Sequence, residues 1–155
     1  MQLVPVHRRI PRAGIDPIDD ADTAFVTISM AVHLPLRCET ILVLLDDGRR
    51  GIGVIAVSDT YEPDAVLEVF ECVLDPSAHG GRIGAVIVAS VRPDPSAAAI
   101  DPDADPDADA DADDVDRWLE MSDLAEQRGV ELLEWFVITD EVSCPRDRLG
   151  EAPRW

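Results

Sequence analysis

The chain has 155 residues, 46% of them hydrophobic, and its 13 basic residues against 32 acidic ones give a formal net charge of −19. This length suits one domain with a real core and is too short for two, and no apolar run approaches the roughly 18 residues that cross a membrane. Because so acidic a surface repels phosphate backbones, direct nucleic-acid binding is disfavoured, and a basic protein partner or simple solubility fits better.

The spacing of the cysteines and the sequence of the N-terminus indicate the cellular compartment of the protein. Cys38, Cys72 and Cys144 are far apart and form no CxxC pair. This pattern argues for reduced thiols and against a disulfide framework or a cysteine-rich zinc site. The N-terminus lacks the apolar core of a secretory signal. We therefore expect a cytoplasmic protein.

The distribution of prolines and charges predicts the domain limits. Residues 1 to 22 carry three prolines and an acidic run, which predicts a flexible N-terminal arm. The domain is predicted over residues 23 to 149, with a disordered acidic insertion at residues 97 to 114. Residues 150 to 155 are predicted to form a C-terminal tail.

The first half of the domain reads as three strands. Residues 24 to 34 alternate in a period of two, which is typical of a half-buried strand. Residues 40 to 45, TILVLL, predict a second strand, and Asp46-Asp47-Gly48 supplies the chemistry of a hairpin turn. Residues 53 to 58, GVIAVS, return as the third strand.

The second half alternates helices and strands. Pro63 opens a helix whose apolar stripe runs to residue 74. A strand at residues 85 to 89 and a helix at residues 115 to 128 follow. Two strands at residues 131 to 139 and 142 to 144 complete the domain. The predicted order is β-β-β-α-β-α-β-β, an α/β domain with a mixed β-sheet and two main helices.

The insertion contains a low-complexity tract, DPDADPDADADADD at residues 101 to 114. Aspartate at every second position is similar to half of a calcium loop. However, Pro106 and Ala112 stand where that loop needs glycine and a bidentate glutamate. Closely spaced like charges and prolines instead favour an extended, disordered segment. A further interpretation is an acidic lure for an arginine-rich partner.

The segment IVASVRPDPS ends the strand at residues 85 to 89 in a proline-containing loop, where catalytic residues commonly gather on an α/β scaffold. LLDDGRR precedes it, followed by TYEPDAVLEVFECVL, and DVDRWLEMSDLAEQRGVELLEWFVITDEVSCPRDRLG comes after it. Together these motifs make residues 40 to 149 resemble the JAB-type (MPN-type) domain of RadC-like proteins. In that family the strand ends in His-x-His-Pro-Ser-Gly-Asp-Pro.

The resemblance implies a zinc site formed by two histidines and a carboxylate, with a glutamate acting on the metal-bound water. The two histidines of the motif fall on Ser90 and Arg92, and the metal-binding aspartate falls on Asp94, Asp101 or Asp103. The vestigial cleft positions are Ser90, Arg92, Pro93, Asp94 and Ser96. The family's glutamate is expected near residues 53 to 57, where no acidic residue is present.

These replacements predict an inactive site. Neutral serine is a poor zinc ligand, and arginine stays protonated and repels a cation. His7, His33 and His79 have no mutual ligand spacing and are each interpreted as surface or half-buried residues. We therefore predict no metal, no cofactor and no catalytic residue. The expected function is a protein-interaction or structural module with a JAB-type fold.

Two alternatives remain open. One is a divergent metal-dependent hydrolase whose ligands include Asp94, His79 and part of the acidic tract. The other is an acidic partner-binding protein that acts through that tract. Arg92 is predicted to pair with Asp94 or with the tract in a surface salt bridge, in preference to anion recognition. Trp118 and Trp135 are predicted core residues, and Trp155 is predicted to be exposed.

Overall fold

The computed structural model describes residues 9–60, 64–75, 82–93 and 110–155, the side chains of the last range from residue 113 onward. The elements follow in the order α1 (Ala21–Ala31), β1 (Glu39–Leu45), β2 (Gly51–Ser58), α2 (Ala65–Leu74), β3 (Ala85–Val91), α3 (Ala110–Gln127), β4 (Glu131–Ile138), β5 (Val142–Ser143) and α4 (Pro145–Arg148). None of the helices in these ranges is long and apolar enough to cross a membrane.

The strands form one mixed sheet in the order β2-β1-β3-β4-β5. β3 and β4 run parallel, and the other neighbouring pairs run antiparallel. The predicted mixed α/β class is therefore confirmed. All seven residues of β1 and all seven of β3 are buried, as expected for near-continuous apolar strands that are covered on both faces.

Helices cover the two faces of the sheet unequally. One core cluster joins α1 to one face through residues such as Ile28, Val43 and Ile87. The other cluster joins α2 and α3 to the opposite face and contains Phe70 and Trp118. The fold is therefore a three-layered arrangement whose sheet is buried centrally and more open at its edges.

The prediction of a strand at residues 24 to 34 is wrong, because residues 21 to 31 form α1. Asp20 caps this helix by accepting hydrogen bonds from the Thr23 backbone N–H at 2.7 Å and from its hydroxyl at 3.0 Å. Ala24 and Ile28, one helical turn apart, are fully buried against the sheet. The spacing of the apolar residues fits the period of a strand as well as that of a helix. The helix-capping residue Asp20 is the sequence signal that distinguishes the two.

The prediction of a flexible arm is also wrong for the part of it that the structure describes. Ile18 is 2% exposed, and its N–H donates to the carbonyl of Arg49 at 2.8 Å. Pro17 forms an isolated bridge with Arg50. Residues 14 to 18 therefore lie beside residues 49 to 51, where β2 begins. Residues 1 to 8 lie outside the described residues.

The C-terminal tail is packed as well. The guanidinium of Arg154 stacks over the ring of Trp118 at 4.5 Å and donates to the Leu132 carbonyl at 3.0 Å. Trp155 packs against the α1-side core, so its prediction as an exposed residue is wrong. Trp118 and Trp135 are fully buried, as predicted.

The helix α3 begins at Ala110, five residues before its predicted start at residue 115. The last proline of the acidic tract is Pro106, so nothing beyond it breaks a helix. Alanine is the strongest helix former, and aspartates are stabilised near the positive end of a helix. Residues 110 to 114 are therefore helical, and the prediction of disorder is wrong there. Residues 97 to 109 lie outside the described residues.

Gly84 sets the close approach between the β1–β2 hairpin and β3. Its N–H donates to the carbonyl of Leu45 at 2.8 Å, and its carbonyl accepts from the N–H of Glu131 at 3.0 Å. A Cβ atom added here would lie 2.6 Å from the backbone nitrogen of Asp47. The backbone would have to move to admit a side chain.

We expect Gly84→Ala to lower the free energy of unfolding by about 1–3 kcal/mol, which corresponds to a fall of roughly 3–10 °C in melting temperature. Thermal unfolding followed by circular dichroism measures this. Gly53→Ala is the matched control, because its Cβ would meet nothing within 4 Å. Equal losses in the two variants would contradict the steric explanation.

Candidate functional site

The predicted cleft positions Ser90 and Arg92 meet at the end of β3. They line a small pocket together with Glu39, Thr40 and Thr60. Its volume is about 10 Å³, which is at the lower limit for one water molecule. The space that the described side chains enclose here is therefore too small for a substrate. Pro93 follows Arg92 in the chain and does not line the pocket, whereas Asp94, Ser96, Asp101 and Asp103 lie outside the described residues.

Ser90 has a packing role. It is 4% exposed, and its Oγ accepts a hydrogen bond from the indole Nε1 of Trp135 at 2.9 Å. Trp135 is fully buried on the neighbouring strand β4, and a buried indole N–H needs an acceptor. Ser90, which the resemblance predicts to replace the first histidine, therefore supplies the acceptor for this buried indole N–H.

Arg92 forms a bidentate ion pair with Asp114 of α3. Its two terminal nitrogens lie 2.8 and 3.0 Å from the two carboxylate oxygens, a geometry that fits guanidinium and carboxylate closely. The guanidinium also lies 5.8 Å from the ring centroid of Trp135. The prediction that Arg92 pairs with the acidic tract is confirmed, with Asp114 as the partner.

The ion pair is less exposed than the predicted surface salt bridge. The side chain of Asp114 is 8% exposed and that of Arg92 is 33% exposed. A second arginine, Arg117, lies 3.7 Å from the same carboxylate and 3.0 Å from Asp64. Charges therefore connect the end of β3 through α3 to the start of α2.

Glu39 is an acidic residue of this pocket that sequence reasoning missed. It is the first residue of β1 and is 1% exposed. The family's glutamate was expected near residues 53 to 57 on β2, but β1 pairs with β3 so that Glu39 stands opposite Val91. Only the register of these two strands reveals this placement.

Glu39 and His33 are bonded to each other. The carboxylate accepts from the backbone N–H of His33 at 2.9 Å, and the ring Nδ1 lies 2.7 Å from its second oxygen. The Nε2 atom lies 2.9 Å from a guanidinium nitrogen of Arg37. Arginine only donates, so Nε2 accepts and Nδ1–H donates to Glu39. His33 thus ties the segment after α1 to β1 and has both ring nitrogens occupied.

The residues of this pocket do not fit a zinc ion. Serine is a weak ligand, and the charge of Arg92 opposes a cation. Across residues 9–60, 64–75, 82–93 and 113–155, no three His, Cys, Asp or Glu side chains converge as a metal site. His79, which the hydrolase alternative requires, lies outside the described residues.

The cysteines do not supply an activated nucleophile at the pocket. Cys38, Cys72 and Cys144 are free thiols. Burial raises the pKa of Cys38, although the charge of Arg92 acts to lower it. Burial also raises the pKa of Cys144 to about 12. Both groups are therefore protonated at neutral pH, and the thiolate is the reactive form.

A second and larger cavity lies between α1, the segment before it, and β2. Its volume is about 360 Å³, which is within the range of ligand pockets. Most of its lining is apolar and includes Met30, Ile52 and Val54, and its two charged residues are Arg12 and Asp16. We call this cavity the α1–β2 groove. Its floor comes from segments that were predicted to be an arm and a strand, so the sequence did not indicate it.

No protein-family model, curated protein or solved structure matches this chain. The resemblance to a JAB-type domain therefore stays a prediction.

Replacing Asp114 by alanine leaves Arg92 and Arg117 without their shared carboxylate. We expect Asp114→Ala to cost about 1–3 kcal/mol in urea unfolding, which is less than for a fully buried pair because Arg92 is partly solvated. The neighbouring Asp113 is exposed, and Asp113→Ala should change stability by less than about 0.5 kcal/mol. A similar loss in both variants would show that general charge, and not the pair, is responsible.

The thiols should differ in reactivity. At pH 8 we expect Cys72, which is exposed, to react with a disulfide reagent at least about tenfold faster than Cys38 and Cys144. The raised pKa of the latter two keeps them protonated at this pH. Cys72→Ser should remove the fast phase, Cys38→Ser should leave it, and guanidinium should equalise all three. A fast phase that persists in Cys72→Ser would contradict this assignment.

Proposed function

We propose that this chain is a non-catalytic, cytoplasmic domain of the JAB type that acts as a protein-interaction module. The observation that carries the proposal is the closed end of β3. Ser90 holds the indole of Trp135 and Arg92 holds Asp114, so both side chains at the histidine positions are engaged inside the fold.

The geometry of the pocket supports the non-catalytic part. A hydrolase of this kind needs an open coordination position, a metal-bound water and a base within reach. The pocket of about 10 Å³ gives no such space. Glu39, the buried carboxylate beside it, is engaged by His33. The polar groups therefore stabilise the fold at the place where the related chemistry would occur.

The α1–β2 groove supports the interaction part. It is open and largely apolar, and side chains such as Met30 and Val54 are 60% and 49% exposed at it. Contiguous exposed apolar surface is one of the features that mark protein contact sites. The free thiols of the three cysteines fit a reducing compartment.

The test is metal content, measured by mass spectrometry on protein purified without a histidine tag. We expect less than about 0.1 zinc per chain, and a melting temperature that chelation leaves unchanged within about 1 °C. One zinc per chain with a lower melting temperature after chelation would overturn the proposal. In that case His79→Ala should abolish binding and His7→Ala should not, if the divergent hydrolase is the correct alternative.

A further inference from the structure

Residues 9–60, 64–75, 82–93 and 110–155 place no further strand beside the outer edge of β2. β2 is the terminal strand of the sheet, and its sequence GIGVIAVS contains neither a charged residue nor a proline. Among the residues that the structure describes, this edge receives one backbone hydrogen bond, from Gly14 N–H to the Gly51 carbonyl at 3.0 Å. Natural proteins normally protect such an edge with charges, prolines or a covering segment.

Apolar side chains accompany this edge. Ile52 and Val54 are 50% and 49% exposed. Val54 stands opposite Val43, which packs in the α1-side core, so both side chains lie on the α1 face of the sheet. Met30 of α1 lines the same groove and is 60% exposed. Backbone and side chains thus offer a strand-binding surface in one place.

We infer that a second copy of this chain binds along β2, antiparallel to it, and joins the two five-stranded sheets. The inference rests on the interaction role proposed above and names its partner. Two copies that each carry a charge of −19 repel over most of their surfaces. This repulsion is weakest at β2, which has no charge, and at the groove, where Arg12 and Asp16 neutralise each other at 2.9 Å. A basic partner would be drawn to the acidic surfaces instead.

A strand is self-complementary in this arrangement. An antiparallel pair across a twofold axis presents the same patch on both copies and closes at two. Centred on Val54, the pairing sets Ile52 of each copy opposite Ala56 of the other, all on the α1 face. No like charges oppose each other. A contact of one strand pair and two grooves lies at the small end of interface sizes, so we expect a dissociation constant on the order of 10 μM.

Sedimentation equilibrium of the full chain between about 1 and 300 μM tests the inference. We expect the mass to rise with concentration from one chain to two. Hydrogen exchange should slow in residues 52 to 58 as the dimer forms. Val54→Asp should weaken association at least tenfold. Ile52→Lys, which introduces the opposite charge on the same face of β2, should weaken it as well.

The matched control is Leu119→Asp, which adds the same charge to an apolar residue that is 43% exposed on α3. It should leave association unchanged. A single-chain mass at every concentration overturns the inference, and so does a dimer that forms only after removal of residues 1 to 8, since the chain's own N-terminus would then hold the edge. Zinc content of the same samples is read separately. A monomer without zinc would reject only the inferred dimer. A dimer that binds zinc would reject only the proposed non-catalytic role.

Discussion

Burial of β3 on both faces is the constraint on which the rest of the structure depends. Its seven residues are all buried between β1 and β4. Polar groups at the end of such a strand have little access to water, so they require partners within the protein. Ser90 obtains the indole of Trp135, and Arg92 obtains Asp114. Both polar side chains at this end of the strand are therefore engaged in contacts within the protein.

The two faces of the domain therefore differ in how much open space the described residues leave. On the α2–α3 side, the ion pairs of Arg92 and Arg117 close the end of the sheet. On the α1 side, the described residues leave the α1–β2 groove open, with a mostly apolar lining. The cavity beside β2 has a volume of about 360 Å³, whereas the described residues at the end of β3 enclose only about 10 Å³. The binding proposed for the strand edge uses the more open of these two places.

The sequence predicted most elements of the sheet, because β1, β3 and β4 are apolar runs bounded by turn residues. It misassigned α1, where alternation at Ala24 and Ile28 fitted a strand as well as a helix. Ser90 and Arg92 were placed correctly as neighbours in one strand end. Their partners Trp135 and Asp114 are 45 and 22 residues away in sequence, and Glu39 reaches the pocket only through strand register. Local patterns do not carry such long-range pairings.

The ion pair between Arg92 and Asp114 also has an evolutionary consequence. It joins two points that are 22 positions apart, and most of the Asp-Ala-Pro repeats lie between them. The entropy of closing a loop grows only with the logarithm of its length, by about 0.6 kcal/mol for each doubling. Slippage during DNA replication could therefore add or remove repeats at little cost to the fold. Related chains would then differ in the length of this tract and retain both anchoring residues.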